Sequence, residues 1–432
     1  MSDLDFTSFS APMPARYHGD TEAIRRNPFL AALPPARSPA DWKAILTKVH
    51  DEPASQAMTD AARDLRIGAT EEMTVALPQA IRFAMDVVAL LHDGYHCRRL
   101  TGYVASLNPP FARQKHLEAV VDKRLPRRRL GQKALALVGI SGSGKTTVLR
   151  AILESFPPVI EHTLDRSGAP KVLQIVWLLL DAPPGRTMKG LCLAILDAFD
   201  EVLHTSLADQ LARDSADVLQ RKIRDLTRDY SVGVIAIDES QVLKGPGVSQ
   251  NELIDYLVSL TNIVGVPLIF VGTPDTQSVL RAAPRIVRRA LQSKHLWNPL
   301  PMEGAWEVLV KGMLADTRVG MPFEPPTESA AEALHPLVEG VPAYLAKLLI
   351  GAERAVLRER RRSFTLADCK KAAGEFPDEV SEILDVIRKQ RAGVRFNTLK
   401  PEPKTRKGER AHKGPVVREQ ALPGFGDIRR VK

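Results

Sequence analysis

An α/β architecture, with a parallel five-stranded sheet and then a small helical region, is expected from the order of apolar patterns along these 432 residues. Three observations carry that expectation. From about residue 134 to residue 300, short apolar runs of strand length alternate with longer segments of helical period. The runs, such as Val234-Ile235-Ala236-Ile237, are apolar at every position, as strands covered on both faces are. Beyond about residue 300 the strand signal vanishes and helical periodicity remains.

The elements follow in chain order. Residues 1 to about 60 are rich in Pro and Ala and read as an irregular arm that docks short apolar pieces, among them Asn27-Pro28-Phe29-Leu30, onto something else. From Leu77 to Leu91, apolar residues recur at three and four and predict an amphipathic helix. Strands are expected at Ala134–Val138, Leu173–Leu180, Gly233–Ile237, Leu268–Gly272 and His295–Trp297. Helices are expected near Lys145–Glu154, Lys189–Val202, Asp209–Asp229, Asn251–Val264 and Thr276–Ala282. The helical region reads as Gly304–Ala315, Glu328–Leu337, Ala343–Leu357 and Leu366–Lys371, with Thr365 and Asp368 spaced as a capping box. The domain boundaries drawn from this are an N-terminal docking region over 1–115, an α/β core over 116–300, a helical domain over 301–390 and a tail over 391–432.

Composition narrows the class. Apolar residues at 44% and charged residues at 26% leave ample material for a core. Cys97, Cys192 and Cys369 lie too far apart for a disulfide framework or a Cys-rich zinc site. The longest nearly unbroken apolar run, Val172 to Leu180, is too short for a bilayer span, and the start of the chain lacks a signal-peptide pattern. The expectation is a cytoplasmic protein with no membrane partner. Of the +9 formal charge, the segment Arg391 to Lys432 supplies +8, from twelve Lys/Arg against four Asp/Glu. With Pro401, Pro403, Pro415 and Pro423 and little to bury, it reads as a disordered basic arm. Such an arm suits an acidic partner or serves only for solubility. Aromatic residues at 5% disfavour a base-stacking single-strand binder.

The strongest motif is Gly139-Ile140-Ser141-Gly142-Ser143-Gly144-Lys145-Thr146, which meets G-x-x-x-x-G-K-[ST] in full between an expected strand and an expected helix. Its glycines let backbone N–H groups of the loop, through Thr147, wrap phosphate oxygens, and the helix N-terminus adds partial positive charge. Lys145 is placed for the β- and γ-phosphates of ATP and Thr146 for Mg²⁺. Downstream, Val234-Ile235-Ala236-Ile237-Asp238-Glu239 ends a buried strand in two carboxylates, costly unless compensated. Asp238 takes the Mg²⁺-holding role, and Glu239 the orienting or general-base role toward water. Thr273, at the tip of another strand, either bonds the γ-phosphate or lytic water or caps the next helix before Pro274. Arg288 and Arg289 either reach a neighbouring subunit's γ-phosphate or form a solvated face.

Together these residues resemble an AAA+ ATPase, and more closely the TnsC family, the ATP-dependent target-site regulators of cut-and-paste DNA transposons, with the shorter TniB proteins as relatives. The likeness spans roughly residues 20 to 300. It is carried by Arg26-Asn27-Pro28-Phe29-Leu30-Ala31-Ala32-Leu33-Pro34-Pro35, Gly142-Ser143-Gly144-Lys145-Thr146-Thr147, Ile237-Asp238-Glu239-Ser240-Gln241, Asn262-Ile263-Val264-Gly265-Val266-Pro267, Gly272-Thr273-Pro274, Arg288-Arg289 and Trp297-Asn298-Pro299. The resemblance implies strand order 5-1-4-3-2 with a C-terminal helical lid. It also implies a homo-oligomeric ring or filament wound on duplex DNA, bridging a TnsD- or TniQ-like target selector and TnsA/TnsB-like transposase subunits. One departure is that Gly340-Val341-Pro342-Ala343-Tyr344-Leu345-Ala346-Lys347 lacks the Arg such a lid often carries, and Lys347 has no planar fork to replace it. DNA-facing candidates are Arg186 and Lys189 in the turn after the second strand, with Arg221 and Lys222 behind them; each also reads as a solvated charge. The competing classes are a protein-remodelling loader or switch without DNA, and an adaptor that binds nucleotide but barely turns it over.

Overall fold

The computed structural model describes residues 12–18, 27–48, 58–97, 134–162, 172–243, 250–281, 294–314, 319, 321–324 and 327–391. The expectations placed on Arg288, Arg289 and the tail beyond residue 391 lie outside the described residues. In chain order the elements begin with β1 (Met13–Pro14), α1 (Pro28–Ala31), α2 (Pro39–Leu46), α3 (Asp60–Gly68) and α4 (Pro78–Cys97). Next come β2 (Ala134–Gly139), α5 (Lys145–Glu154), β3 (Val159–His162), β4 (Val172–Ile175), β5 (Trp177–Asp181), α6 (Met188–Leu203), α7 (Leu207–Leu211) and α8 (Ala216–Asp229). The sheet is completed by β6 (Val234–Asp238), α9 (Gln250–Ile263), β7 (Leu268–Gly272), α10 (Thr276–Arg281) and β8 (Lys294–Trp297). The rest is α11 (Ala305–Leu314), β9 (Phe323–Glu324), α12 (Thr327–Val338), α13 (Pro342–Arg358), β10 (Phe364–Thr365), α14 (Leu366–Gly374) and α15 (Asp378–Arg391).

The main sheet runs β5-β6-β7-β2-β8 with every neighbouring pair parallel, which is the 5-1-4-3-2 order expected from the resemblance. The period of two explains how such runs are buried twice over. Ala134, Ala136, Val138, Ile235, Ile237, Leu268 and Phe270 enter one core with α6, α8 and α9. Their alternates Leu135, Leu137, Val234, Ala236, Ile269 and Val271 enter a second core with α4 and α5. Register brings the C-terminal strand ends to one edge: Asp181 pairs with Asp238, Val138 with Gly272 and Gly139 with Trp297. That edge is where ligands bind in open parallel sheets.

Three expectations are corrected. The single strand Leu173–Leu180 is two strands: β4 pairs antiparallel with β3 in a small separate sheet, and β5 joins the main one. The chain changes sheets at Val176, whose N–H donates to the Pro158 carbonyl at 2.8 Å. The helix expected over Asp209–Asp229 is broken into α7 and α8. Tight turns from Ala212 N–H to Asp209 and from Asp214 N–H to Leu211 end α7, and Ser215 in extended backbone opens α8. The apolar pieces of the N-terminal arm dock on the chain's own sheet domain. Asn27 caps α1 by accepting from Leu30 N–H at 2.9 Å and donates to the Tyr95 carbonyl at 2.9 Å, with Pro28 at the first helical position. Phe29 and Leu33 are thereby buried in the second core. Arg37 donates to the Ser155 carbonyl at 2.6 Å and lies over the Trp42 and Phe156 rings.

A third core belongs to the helical region, where α11 to α15 pack around Trp306, Leu334, Leu345 and Leu349. The Thr365–Asp368 capping box expected at the start of α14 is present. A two-residue parallel pairing of β9 with β10, absent from the expectation, lies in the same region. Helix α3 docks here: Asp64 accepts from Arg354 at 2.9 Å, Asp60 pairs with Arg362 at 2.8 Å, and Ile67 enters the core. Among the described residues, no single helix is long and apolar enough to cross a membrane.

Candidate nucleotide site

The loop between β2 and α5 has the shape its sequence requires. Gly142 and Gly144 sit at φ +79° and +84°, in the left-handed region where glycine carries no steric cost. A Cβ on Gly139 would lie 2.4 Å from the Trp297 carbonyl oxygen, so this glycine lets β8 close against the end of β2. Ser141 to Thr147 line a cleft of about 290 Å³, together with Glu239 and Thr273; Gly139 does not line it. The Ser143 hydroxyl is used inside the loop, donating to the Ile140 carbonyl at 2.9 Å.

Thr146 and Asp238, distant in sequence, meet directly: the Thr146 hydroxyl donates to Asp238 Oδ2 at 2.6 Å. Asp238 is buried at the tip of β6, and its Oδ1 accepts from Glu239 N–H at 2.8 Å. A hydroxyl beside a carboxylate is a hard-oxygen pair of the kind Mg²⁺ takes when it shares its remaining positions with phosphates and water, so these residues fit that ion. Lys145 donates to the Ile140 carbonyl at 2.8 Å. Burial holds its ammonium below the ordinary lysine value, while the charges of Asp238 and Glu239 draw it back up. Glu239 is exposed and adopts φ +50°, uncommon for a residue with a side chain.

Thr273 is not the cap that one reading gave it. Helix α10 starts at Thr276, and Thr273 is joined to it only by a turn in which its carbonyl accepts from Thr276 N–H at 2.9 Å. Its own N–H donates to Gln241 Oε1 at 3.0 Å, while the residue faces the cleft. Gln241 also donates to the Glu239 carboxylate. Sequence reasoning gave Gln241 no role of its own, although its place two residues after Glu239 was the available signal.

The remainder of the cleft is largely apolar, with Glu71, Thr74 and Gln79 among its lining, and was not legible in the motifs. Val75, Leu77 and Ala80 come from the segment leading into α4, and Leu309, Met313, Pro342 and Ala346 from the helical region. That mixture of apolar wall and polar loop suits a flat heteroaromatic base joined to phosphates. The helical region closes over the loop as a lid: Ala343 N–H donates to the Gly142 carbonyl at 3.0 Å. Lys347 is exposed and does not line the cleft.

Arg186 and Lys189 are not part of the cleft. Arg186 is exposed at φ +51° in the turn Pro183 to Arg186, and Lys189 lies in the first turn of α6. The residue before the turn is tied to the site nonetheless, since Ala182 N–H donates to the Asp238 carbonyl at 2.9 Å. Arg221 and Lys222 are exposed on α8.

Comparison with known proteins bears on the same residues. The family model of the AAA domain matches residues 128–280. No curated protein matches the chain. Among solved structures, the chain is similar to the Aeropyrum pernix ORC2 protein in its ADP form, at 14% identity and TM-score 0.41, covering 56% of this chain and 63% of that one. It thus spans less than two thirds of that relative's length. It is similar also to Drosophila ORC bound to DNA, at 12% identity and TM-score 0.41 with 87% of each chain covered. A Walker-type ATPase of Pyrococcus abyssi is similar at 19% identity and TM-score 0.37, covering 61% of this chain and 71% of that one. With its loop, its paired acids and its strand order, the chain carries an AAA domain of the AAA+ P-loop α/β fold.

Proposed function

We propose that this chain is an ATP-dependent, DNA-binding regulator of DNA transposition acting in the cytoplasm. Copies of it assemble on duplex target DNA when ATP and Mg²⁺ occupy the cleft, and hydrolysis releases them. In this reading the assembled form links a TnsD/TniQ-like target selector to TnsA/TnsB-like transposase subunits, as the sequence resemblance implies.

The observation that carries the reading is the 2.6 Å bond from Thr146 to the buried Asp238, with Thr146, Lys145 and Glu239 lining one cleft. Lys145 and the loop N–H groups would hold the phosphates, and Thr146 with Asp238 would hold Mg²⁺, which screens phosphate charge when bound. Glu239, exposed at the same edge, accepts a proton from the attacking water. The DNA part of the reading is supported by the exposed Arg186 and the half-buried Lys189, which follow Ala182, whose N–H donates to the Asp238 carbonyl. Each such contact to a phosphate is weak; assembly multiplies it. Arg288 or Arg289 is proposed to complete the site of a neighbouring copy.

Electron microscopy of the purified chain with long duplex DNA, in ATP, in ADP and without nucleotide, tests this reading. Coating of the duplex in ATP alone is the expected result. A protomer that stays single on DNA with a non-cleavable ATP analogue overturns it, and nucleotide turnover indifferent to DNA would favour a protein-remodelling switch.

A further inference from the structure

The carboxylate of Glu239 does not stand free at the strand end. The short turn Ser240–Leu243 folds back across the end of β7, pinned where the Ser240 hydroxyl donates to the Val271 carbonyl at 2.6 Å. The left-handed backbone at Glu239 is what permits that reversal. It brings the Gln241 carboxamide between two strand ends, with Oε1 accepting from Thr273 N–H at 3.0 Å and Nε2 donating to Glu239.

We propose that Gln241 is the positioning residue for Glu239, a rigid bridge through which the tip of β7 fixes the carboxylate that activates water. The inference rests on the hydrolase reading above. The partners determine which way round the amide sits. The Thr273 N–H can only donate and the Glu239 carboxylate oxygen accepts from Nε2, so a flipped amide would set donor against donor at one end and acceptor against acceptor at the other. The bridge is also sterically enforced. A Cβ on Gly272 would lie 2.2 Å from Gln241 Oε1 and 2.4 Å from the Thr276 hydroxyl, so the carboxamide uses space that only glycine leaves open. With one Glu239 oxygen held by Nε2, the other is left to orient water toward the cleft that Glu239 and Thr273 share. Gln241 does not line the cleft; it acts through Glu239.

Two substitutions separate positioning from support. Gln241→Glu keeps the length and an acceptor for Thr273 N–H but replaces the donor to Glu239 with a repelling carboxylate. Gln241→Leu removes these two bonds, and the 3.5 Å one that Oε1 accepts from the Thr276 hydroxyl, at similar volume. Phosphate release under saturating ATP is expected to fall on the order of 10²-fold in both, the scale of a misplaced reacting group. Affinity for a fluorescent N-methylanthraniloyl-ATP, and KM for ATP, should stay within about 2-fold of the parent, because uniform binding is untouched. Parental turnover in Gln241→Glu overturns the inference, as does a loss of turnover matched by an equal loss of nucleotide affinity. If Gln241→Leu fails to fold, Gln241→Glu decides alone. Glu239→Gln is measured beside them: if it hydrolyses ATP like the parent, the hydrolase reading falls and takes the inference with it, whereas an inert Glu239→Gln beside fully active Gln241 variants rejects the bridge alone.

Discussion

The Thr146 hydroxyl and Asp238 Oδ2 lie 2.6 Å apart although 92 residues separate them in the chain. The contact exists because β2 and β6 end at the same edge of a parallel sheet, so that a loop leaving one faces the acid terminating the other. Thr146→Ala and Asp238→Asn should each lower Mg²⁺-dependent ATP turnover on the order of 10²-fold, the usual effect of deleting one preorganised charge-stabilising group. Steady-state phosphate release over a Mg²⁺ titration checks this, and unaltered turnover in Asp238→Asn would contradict the role given to it.

Glu239→Gln should leave ATP binding intact while slowing hydrolysis by about 10² to 10⁴, the range of general-base contributions. On the switch reading, the variant stays on duplex DNA longer than the parent when both are loaded with ATP. Dissociation rates from immobilised duplex, measured after dilution, decide the matter; release as fast as the parent's would defeat the switch.

Arg186→Ala and Lys189→Ala should weaken duplex binding to much the same extent on unrelated sequences, because phosphate contacts carry no base information. For each contact removed, the slope of log affinity against log salt should drop by about 1. Titrations of labelled duplex between low and moderate salt provide the test, and an unchanged slope in the double variant would exclude these two side chains.

Asp368 accepts from both Arg361 amino groups, at 2.8 and 2.6 Å, and from Thr365 N–H at 2.7 Å. The Arg361 bond foremost, with the Thr365 bonds, holds its carboxyl well below the usual carboxylate range against the opposing effect of burial. A depressed folded-state value means a stabilising contribution that is complete above about pH 4, the unfolded value, and lost as pH falls toward the lower folded one. Asp368→Asn should therefore melt earlier than the parent at pH 7, and the gap should narrow as pH falls below about 4. Parallel thermal melts across that window measure it; a gap independent of pH would remove the charge from the explanation.

Phe29 is 1% exposed and meets the His162 ring edge-on at 4.9 Å. Phe29→Ala should cost about 3–5 kcal/mol, as aromatic truncations in well-packed cores do. Urea unfolding followed by circular dichroism reads the change, and a loss below about 1 kcal/mol would mean that α1 is only loosely docked.

The loop from Gly139 to Thr146 and the Asp238-Glu239 pair were legible because their chemistry is local: spacing within one turn decides it. The strand order came from the resemblance, and the registers then placed both motifs at one edge. What stayed hidden depended on contacts between distant residues. The run Val172 to Leu180 is apolar whether it serves one sheet or two, and it is divided at Val176, whose N–H donates to Pro158 while its carbonyl accepts from Val234 N–H. The start of α7 was invisible for a related reason. Asp200, from α6, accepts from Leu207 N–H at 2.7 Å and Ala208 N–H at 2.8 Å, so the start of α7 is set by a carboxylate outside it. Val75 and Met313 share a cleft wall across more than two hundred residues, and nothing in either neighbourhood announces the other.

Because α1 and α2 grip the sheet while α3 grips the helical region, the opening portion of the chain works as a splint set across a joint. A shortened protein beginning near residue 100, designed to isolate the catalytic body, would lose that splint together with the Val75–Ala80 wall of the cleft. Such a fragment would uncover Phe156, now packed on Trp42, and Trp297, now packed on Phe83, to water in one stroke.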